Sequence, residues 1–241
     1  MDLTYASAES LISALRAGDV TSVELTDAAI SRIERDDRAI NAICVPDFDR
    51  AREAARAADR ARARGEERTL LGVPVTVKES YDIAGLPTTW GMPEHRDHVP
   101  AEDAVQVARL RAAGAVVLGK TNVPLGLQDV QSFNEVYGTT NNPWNHGRTS
   151  GGSSGGSAAA LACGFGALSI GSDIAGSLRT PPTSAGSTRT SRRSGWPRAG
   201  AWSRRPCPRC RSTGTWPSSG RWRARPATSV CCSTSWPGRI R

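Results

Sequence analysis

The feature that most limits what this chain can fold into is an abrupt change of composition after Pro181. Residues 182–241 contain 13 Arg and five Trp, but no Lys, Asp, Glu, Leu, Phe or Tyr, and only one Val and one Ile. A segment with so few aliphatic residues can hardly bury a core. We therefore expect residues 1–181 to hold the folded part and residues 182–241 to form a disordered tail.

Charge and cysteine content divide at the same point. The whole chain has a formal net charge of +8, yet residues 1–181 carry 18 basic and 23 acidic side chains, so the basic excess lies in the tail. The folded part has only Cys44 and Cys163, which fits a reduced, cytoplasmic protein. Its longest run of low polarity, residues 158–170, is too short to span a bilayer. We expect a cytoplasmic location and no membrane partner.

The order of apolar runs predicts an α/β fold. Residues 72–77 and 115–118 form short β-branched runs, and the segment between them has a helical pattern over residues 104–113 that Asp103 and Gly114 would bound. Such continuous apolar runs are typical of strands buried on both faces. The remaining predicted elements are a helix that ends at Gly18, a helix that begins with a Thr21–Glu24 capping box, helices at 50–65 and 157–165, and a strand at 167–170.

Three short polar segments carry the residues that could perform chemistry. They are Lys78 at the end of the first predicted strand, the Gly/Ser-rich run 151–157, and the run 171–177. Each is weak alone, because a lysine at a strand end is usually solvated and a Gly/Ser run is usually a flexible loop. Their order, and the 24 positions from Ser153 to Ser177, argue against coincidence.

Together these segments resemble the amidase signature family, and residues 71–75, 119–122 and 137–144 are similar to it as well. The resemblance implies a mixed β-sheet flanked by helices. It covers only the N-terminal portion of the longer family members, through the third segment, so the fold is expected to be incomplete here.

The resemblance also assigns roles to residues. It implies that Ser177 is the nucleophile, Ser153 a bridging serine after a cis Gly152–Ser153 peptide, and Lys78 the base. Serine needs a neighbouring base to become a good nucleophile, and lysine acts as one only when burial keeps it neutral. The implied oxyanion hole consists of backbone N–H groups of Ile174, Ala175, Gly176 and Ser177.

The implied reaction is hydrolysis of a small-molecule carboxylic amide through an acyl-serine, with no metal or organic cofactor. The alternative within the family is the A-type subunit of glutamyl-tRNA amidotransferase, which shares the same triad. Residues 79–81 and Trp90 look more like a stand-alone amidase. Ala175 stands where the family usually has glycine, so a positive φ at this position would be strained.

Other kinds of site fit less well. The windows around Ser153 and Ser154 satisfy Gly-x-Ser-x-Gly, the nucleophile elbow of α/β hydrolases, but residues 148–150 are not an apolar strand. That elbow also needs a histidine downstream, whereas His95, His98 and His146 all lie upstream. We expect these histidines to be surface groups without a role. No Gly-Lys-Ser/Thr follows the glycine run, which excludes a phosphate loop.

The tail allows an interpretation from another class, in which this chain is a non-catalytic fragment with a basic nucleic-acid-binding arm whose tryptophans stack on bases. Cys207 and Cys210 offer half of a zinc site, but Cys231 and Cys232 have the wrong spacing for the other half.

We favour a different origin for the tail, a shift of the reading frame. With GC-rich codons, residues 182–196 read two nucleotides later give a sequence such as Ala-His-Phe-Cys-Gly-Val-Tyr, which resembles the continuation of the family. The same offset over residues 221–241 allows an amphipathic helical run. On this hypothesis a nucleic-acid partner is not expected, and the 241-residue chain as written is inactive or unstable.

Overall fold

The computed structural model describes residues 3–185, 188–191 and 200–203. In these residues the predicted helices and strands are present, together with further short elements that the sequence did not predict. In chain order the elements are α1 (Ala8–Ala17), α2 (Ser22–Ile40), β1 (Ile43–Pro46), α3 (Phe48–Ala63), β2 (Pro74–Lys78), α4 (Val105–Ala112), β3 (Val116–Thr121), β4 (Phe133–Asn134), β5 (Gly138–Thr139), α5 (Gly155–Ala162), β6 (Leu168–Gly171), α6 (Thr180–Ala185), β7 (Thr188–Ser191) and β8 (Gly200–Ser203).

The main sheet is mixed, with the strand order β1-β3-β2-β6-β8-β7. Strand β2 lies between β3 and β6 and is parallel to both, while β1 and β8 pair antiparallel to their neighbours. Every residue of β2, β3 and β6 is buried, as expected for strands covered on both faces. Because these strands are parallel, their carboxyl ends meet at one edge of the sheet, where α/β proteins commonly place their ligands.

The N-terminal helices cover the sheet, and their ends follow the sequence signals. Helix α1 stops at Gly18, which has a φ of +78°, a value that glycine adopts without strain. Helix α2 begins with the predicted capping box, in which Thr21 and Glu24 each accept from the other's backbone N–H. Ile30 of α2 lies in a core cluster that also contains Val116 and Leu118 of β3.

Helix α5 packs closely because its residues are small. It begins at Gly155, two residues before the predicted start, and all its residues up to Leu161 are buried. Ala159 and Ala160 lie in the same core cluster as β3 residues. A side chain at Gly156 would collide with the backbone of Asn122, which follows β3, so glycine is required at this contact.

The predicted N-cap of α4 is wrong. Asp103 does not cap the helix, whose N-cap is Ala104 without a side-chain hydrogen bond. The Asp103 carboxylate instead accepts from the backbone N–H of Ala84 at 2.9 Å and pairs with Arg111. Tertiary contacts compete with the helix for a capping side chain. Here the backbone of the loop before the helix binds the Asp103 carboxylate. The predicted end is confirmed, since Gly114 follows with a φ of +87°.

Part of the predicted tail pairs with the sheet. Strands β7 and β8 pair with each other, and β8 pairs with β6. These short segments depart from the expected absence of structure after residue 181, and backbone pairing of this kind needs no apolar side chains. The four tail cysteines lie outside the described residues. Within the described part, no helix combines the length and hydropathy that crossing a membrane requires.

Candidate active site

Lys78 is the last residue of β2 and is fully buried. A solvent-exposed lysine would be charged at neutral pH. The position of Lys78 follows from the sheet, since β2 has a neighbour on each side and helices on its faces. The Lys78 Nζ donates hydrogen bonds to Ser153 Oγ at 2.7 Å and to Ser172 Oγ at 3.0 Å. The structure thus brings together two of the three predicted triad residues in direct contact.

Burial lowers the pKa of Lys78 from 10.5 to about 7. The cause is desolvation, which disfavours the charged ammonium, and the negative charge of Asp173 opposes this shift in part. At pH 7 a substantial fraction of Lys78 is therefore neutral and able to accept a proton. A lysine at the solvated end of a strand would not have this property.

The glycine run places Ser153 against Lys78. The Gly152–Ser153 peptide is cis, as the resemblance implies, and α5 starts two residues later. Close backbone contacts explain the glycines: a Cβ at Gly151 would lie 2.5 Å from Pro181 Cα, and one at Gly152 would lie 2.7 Å from the Asp129 carbonyl oxygen. Only residues without a Cβ allow this turn to sit between its neighbours.

Ser177 lies on the loop that follows β6, and it is partly exposed. Its carbonyl oxygen accepts from the backbone N–H of Ser154 at 3.2 Å, which ties this loop to the start of α5. Among the hydrogen bonds of the described residues, none joins the Ser177 hydroxyl to Ser153. Catalytic hydrogen bonds in enzymes without substrate are often long and tighten only when substrate binds.

The loop between Ser172 and Ser177 is organised by Asp173. Its carboxylate accepts from the backbone N–H of Gly176 at 2.8 Å and of Leu178 at 3.2 Å, and it pairs with Arg179 at 3.1 Å. The pKa of Asp173 is lowered, because these hydrogen bonds outweigh the effect of its burial. The positive φ of this loop falls on Gly176, at +122°, and not on Ala175. Alanine therefore fits its position without the strain that the sequence suggested.

The predicted oxyanion donors differ in their surroundings. Ile174 and Ala175 are exposed, whereas Gly176 is buried and its N–H is already bonded to Asp173. A substrate oxyanion would have to share this N–H with the carboxylate. The N–H groups of Ile174, Ala175 and Ser177 have no partner among the hydrogen bonds of the described residues.

Sequence reasoning missed two residues of this site, Ser172 and Asp173. Ser172 is buried and is the second hydroxyl partner of Lys78. The available signal was its position directly after a buried strand, but this position becomes informative only when β2 and β6 are known to be neighbours.

The three histidines are exposed, as predicted. A surface cavity between α1 and the end of α3, lined by Ile12, Arg62, Glu66 and others, contains none of these site residues.

Comparison with known proteins gives a family for this arrangement. The family model described as Amidase matches residues 24–188, which are about two thirds of the chain and include Lys78, Ser153 and Ser177. The chain belongs to the amidase signature family. The resemblance read from the three polar segments is thereby confirmed, and so is the predicted fold class.

Individual relatives agree with this assignment. The putative amidase AmiB2 of Mycobacterium tuberculosis is 46% identical over 184 residues, which are 76% of this chain and 39% of that protein. The A-type subunit of the glutamyl-tRNA(Gln) amidotransferase of Roseiflexus castenholzii is 42% identical over 186 residues, 77% of this chain and 37% of that protein. The structure of peptide amidase from Stenotrophomonas maltophilia matches with a TM-score of 0.71 and 32% identity, over 75% of this chain and 38% of that one. The chain thus spans about two fifths of the length of the relatives it matches.

Proposed function

We propose that this chain carries the catalytic serines and lysine of a stand-alone amidase, which hydrolyses a carboxylic amide through an acyl-serine on Ser177. The observation that carries the proposal is the contact of a fully buried lysine, whose pKa is about 7, with the hydroxyl of Ser153. Burying a lysine is unfavourable, and a site that keeps it neutral next to a serine is suited to proton transfer.

In the proposed mechanism Ser177 Oγ attacks the carbonyl carbon of the amide. Its proton passes to Ser153 Oγ while the Ser153 hydroxyl proton passes to the neutral amine of Lys78. The proton then returns by the same route to the leaving nitrogen, the C–N bond breaks, and ammonia or an amine departs. Water attacks the acyl-serine with the same proton relay, which releases the carboxylic acid and restores Ser177.

The negative charge on the tetrahedral intermediate needs donors close to Ser177. We assign this role first to the backbone N–H groups of Ile174, Ala175 and Ser177, because Gly176 donates to Asp173 in the structure. Gly176 contributes only to the extent that the oxyanion shares its N–H with the carboxylate. Losing one donor of this kind typically lowers kcat by about 10²- to 10³-fold.

The A-type component of a glutamyl-tRNA amidotransferase is the second candidate function, since such a relative is 42% identical to this chain. The two functions share the triad chemistry and differ in the fate of the ammonia. We favour the stand-alone amidase on the residues around Lys78 and Trp90. The cytoplasm is the proposed location, supported by the low cysteine content of the described part. We also propose that the chain has no nucleic-acid partner. The basic tail that could bind one lies largely outside the described residues.

The test begins with the gene, because the chain spans only part of its relatives. Resequencing the codons for residues 171–241 defines the gene product, which is the longer protein if the frame is restored and the 241-residue chain if it is not. Purified gene product is then assayed for ammonia release from simple amides, and from glutamine with and without charged tRNA. Release from simple amides that Ser177→Ala abolishes supports the proposal. Release only from glutamine, in the presence of charged tRNA, supports the amidotransferase. Release that Ser177→Ala does not reduce refutes both.

A further inference from the structure

The loop of residues 87–91 is held between two buried charges of opposite sign. Glu79 accepts from the backbone N–H of Thr89 at 2.5 Å and of Trp90 at 2.9 Å. From the other side, Lys120 Nζ donates to the carbonyl oxygen of Pro87 and to Thr88 Oγ1. The backbone N–H groups of this loop thus donate to the Glu79 carboxylate, and its oxygen acceptors accept from the Lys120 side chain. We call residues 87–91 the clamped loop.

Both charges are completely buried, which makes the arrangement rigid. Glu79 and Lys120 each have 0% exposed surface. Burial lowers the pKa of Lys120, and the negative charge of Glu79 opposes that shift. A buried charge is tolerated only when its hydrogen-bonding capacity is used, so movement of the clamped loop would take both hydrogen-bond partners from Lys120 and two from Glu79. The Tyr137 hydroxyl adds a third hydrogen bond to Glu79, at 3.0 Å.

Trp90 occupies an unusual place in the clamped loop. Its φ is +55°, in the left-handed region that is strained for a bulky residue, and the residue is 44% exposed. Its backbone is fixed on both sides, by Glu79 at the N–H and by Gly126, which donates to the Trp90 carbonyl oxygen at 2.8 Å. Core packing does not account for an exposed indole on a strained backbone, whereas such strain is common at ligand sites.

The contacts of Trp90 lead to the catalytic residues in two directions. Its N–H partner Glu79 directly follows Lys78 in the chain. Its carbonyl partner Gly126 begins a segment whose residues 129–131 lie against Gly152, since a Cβ there would be 2.7 Å from atoms of that backbone. Trp90 is therefore anchored to the side chain of the residue after Lys78, and to the start of a segment whose residues 129–131 lie against the residue before Ser153. Val130, 61% exposed on the same segment, adds apolar surface.

We propose that Trp90 is a specificity-determining residue of this site, one that packs against an aromatic or bulky apolar group of the amide substrate. Glu79 is the positioning residue that fixes the indole through the clamped loop. The proposal rests on the proposed amidase function, and it narrows the substrate class from amides in general to amides that carry such a group. An indole offers a large, flat apolar face with few rotamers to restrict, which suits this role.

The test compares benzamide and phenylacetamide with acetamide and propionamide, using the gene product, Trp90→Ala, Trp90→Phe and the control Tyr5→Ala. Tyr5 is another exposed aromatic residue, 63% exposed, in the segment before α1. We expect Trp90→Ala to lower kcat/KM for the aryl substrates roughly tenfold, mainly because KM rises. For the small amides kcat/KM should change less than about twofold. Trp90→Phe should retain most of the preference, and Tyr5→Ala all of it.

Equal losses for both substrate classes, or no change for either, would overturn the role of Trp90 while leaving Ser177-dependent hydrolysis intact. Failure of the proposed function looks different, because then Ser177→Ala leaves hydrolysis unaffected or no amide is cleaved at all. Glu79→Gln tests the positioning role. It should reduce the aryl preference as Trp90→Ala does, and the double variant should show no further loss of preference. The Trp90 variants keep the test decisive if Glu79→Gln does not fold.

Discussion

The depressed pKa of Lys78 makes a quantitative prediction about pH. If neutral Lys78 is the base, kcat/KM for an amide follows the neutral fraction of a group with a pKa of about 7. The rate constant should fall about tenfold from its plateau at pH 6 and about a hundredfold at pH 5, and it should be flat above about pH 8. A pH–rate profile of the gene product between pH 5 and 10 measures this directly.

The same shift affects stability, with a sign that the structure fixes. Because the pKa is lower in the folded state than the ordinary 10.5, the folded protein binds fewer protons than the unfolded chain between about pH 7 and 10.5. Stability therefore rises with pH across this window. The penalty for burying Lys78 is about 5 kcal/mol well below pH 7. It is about 4 kcal/mol at pH 7 and about 2 kcal/mol at pH 9.

Lys78→Met removes this penalty, so the gain in free energy of unfolding should be about 2 kcal/mol smaller at pH 9 than at pH 7. The variant also loses the hydrogen bonds to Ser153 and Ser172, but that loss does not depend on pH in this range. Denaturant unfolding at both pH values gives the difference. The reasoning would be refuted if Lys78→Met changed the free energy of unfolding by the same amount at pH 7 and pH 9 and the kinetic pKa were near 10. Those results would show that Lys78 is not desolvated.

Three further results are expected. Ser153→Ala breaks the contact between the relay and Lys78, so kcat should fall by about 10²- to 10⁴-fold in steady-state assays while KM changes little. Thr21→Ala removes the capping box of α2 and should lower the free energy of unfolding by about 1 kcal/mol at both pH 7 and pH 9, which makes it the matched control for Lys78→Met; a pH-dependent effect would contradict this. Resequencing the gene should find one inserted or missing base near codons 180–187, and a sequence that stands as written would make the basic tail genuine.

Much of the fold was predictable because its signals are local. The capping box at Thr21, the helix end at Gly18 and the buried runs before Lys78 and Lys120 each lie within a few neighbouring residues. Asp103 shows where this reasoning stops. Its sequence position suits an N-cap, but a backbone N–H 19 residues earlier in the chain takes its carboxylate. Nothing local distinguishes these two outcomes.

The motifs predict which residues form the site, but they do not predict its contacts. The resemblance placed Lys78, Ser153 and Ser177 in one site, whereas the second partner of Lys78, Ser172, depends on β2 and β6 being neighbours. Glu79 and Lys120 are 41 positions apart in the sequence, and both bind the clamped loop, which lies between them. No periodic pattern in the sequence predicts these contacts. Strand order and loop contacts of this kind arise only in the folded chain.

The most direct test of the central claim is to trap the acyl-enzyme. The gene product is mixed with an amide substrate, quenched in acid during turnover, and analysed by intact mass and peptide mapping. The prediction is one acyl group per chain, located on Ser177, absent in Ser177→Ala and accumulating more slowly in Ser153→Ala. An acyl group on another residue, or amide hydrolysis that persists undiminished in Ser177→Ala, would contradict the mechanism.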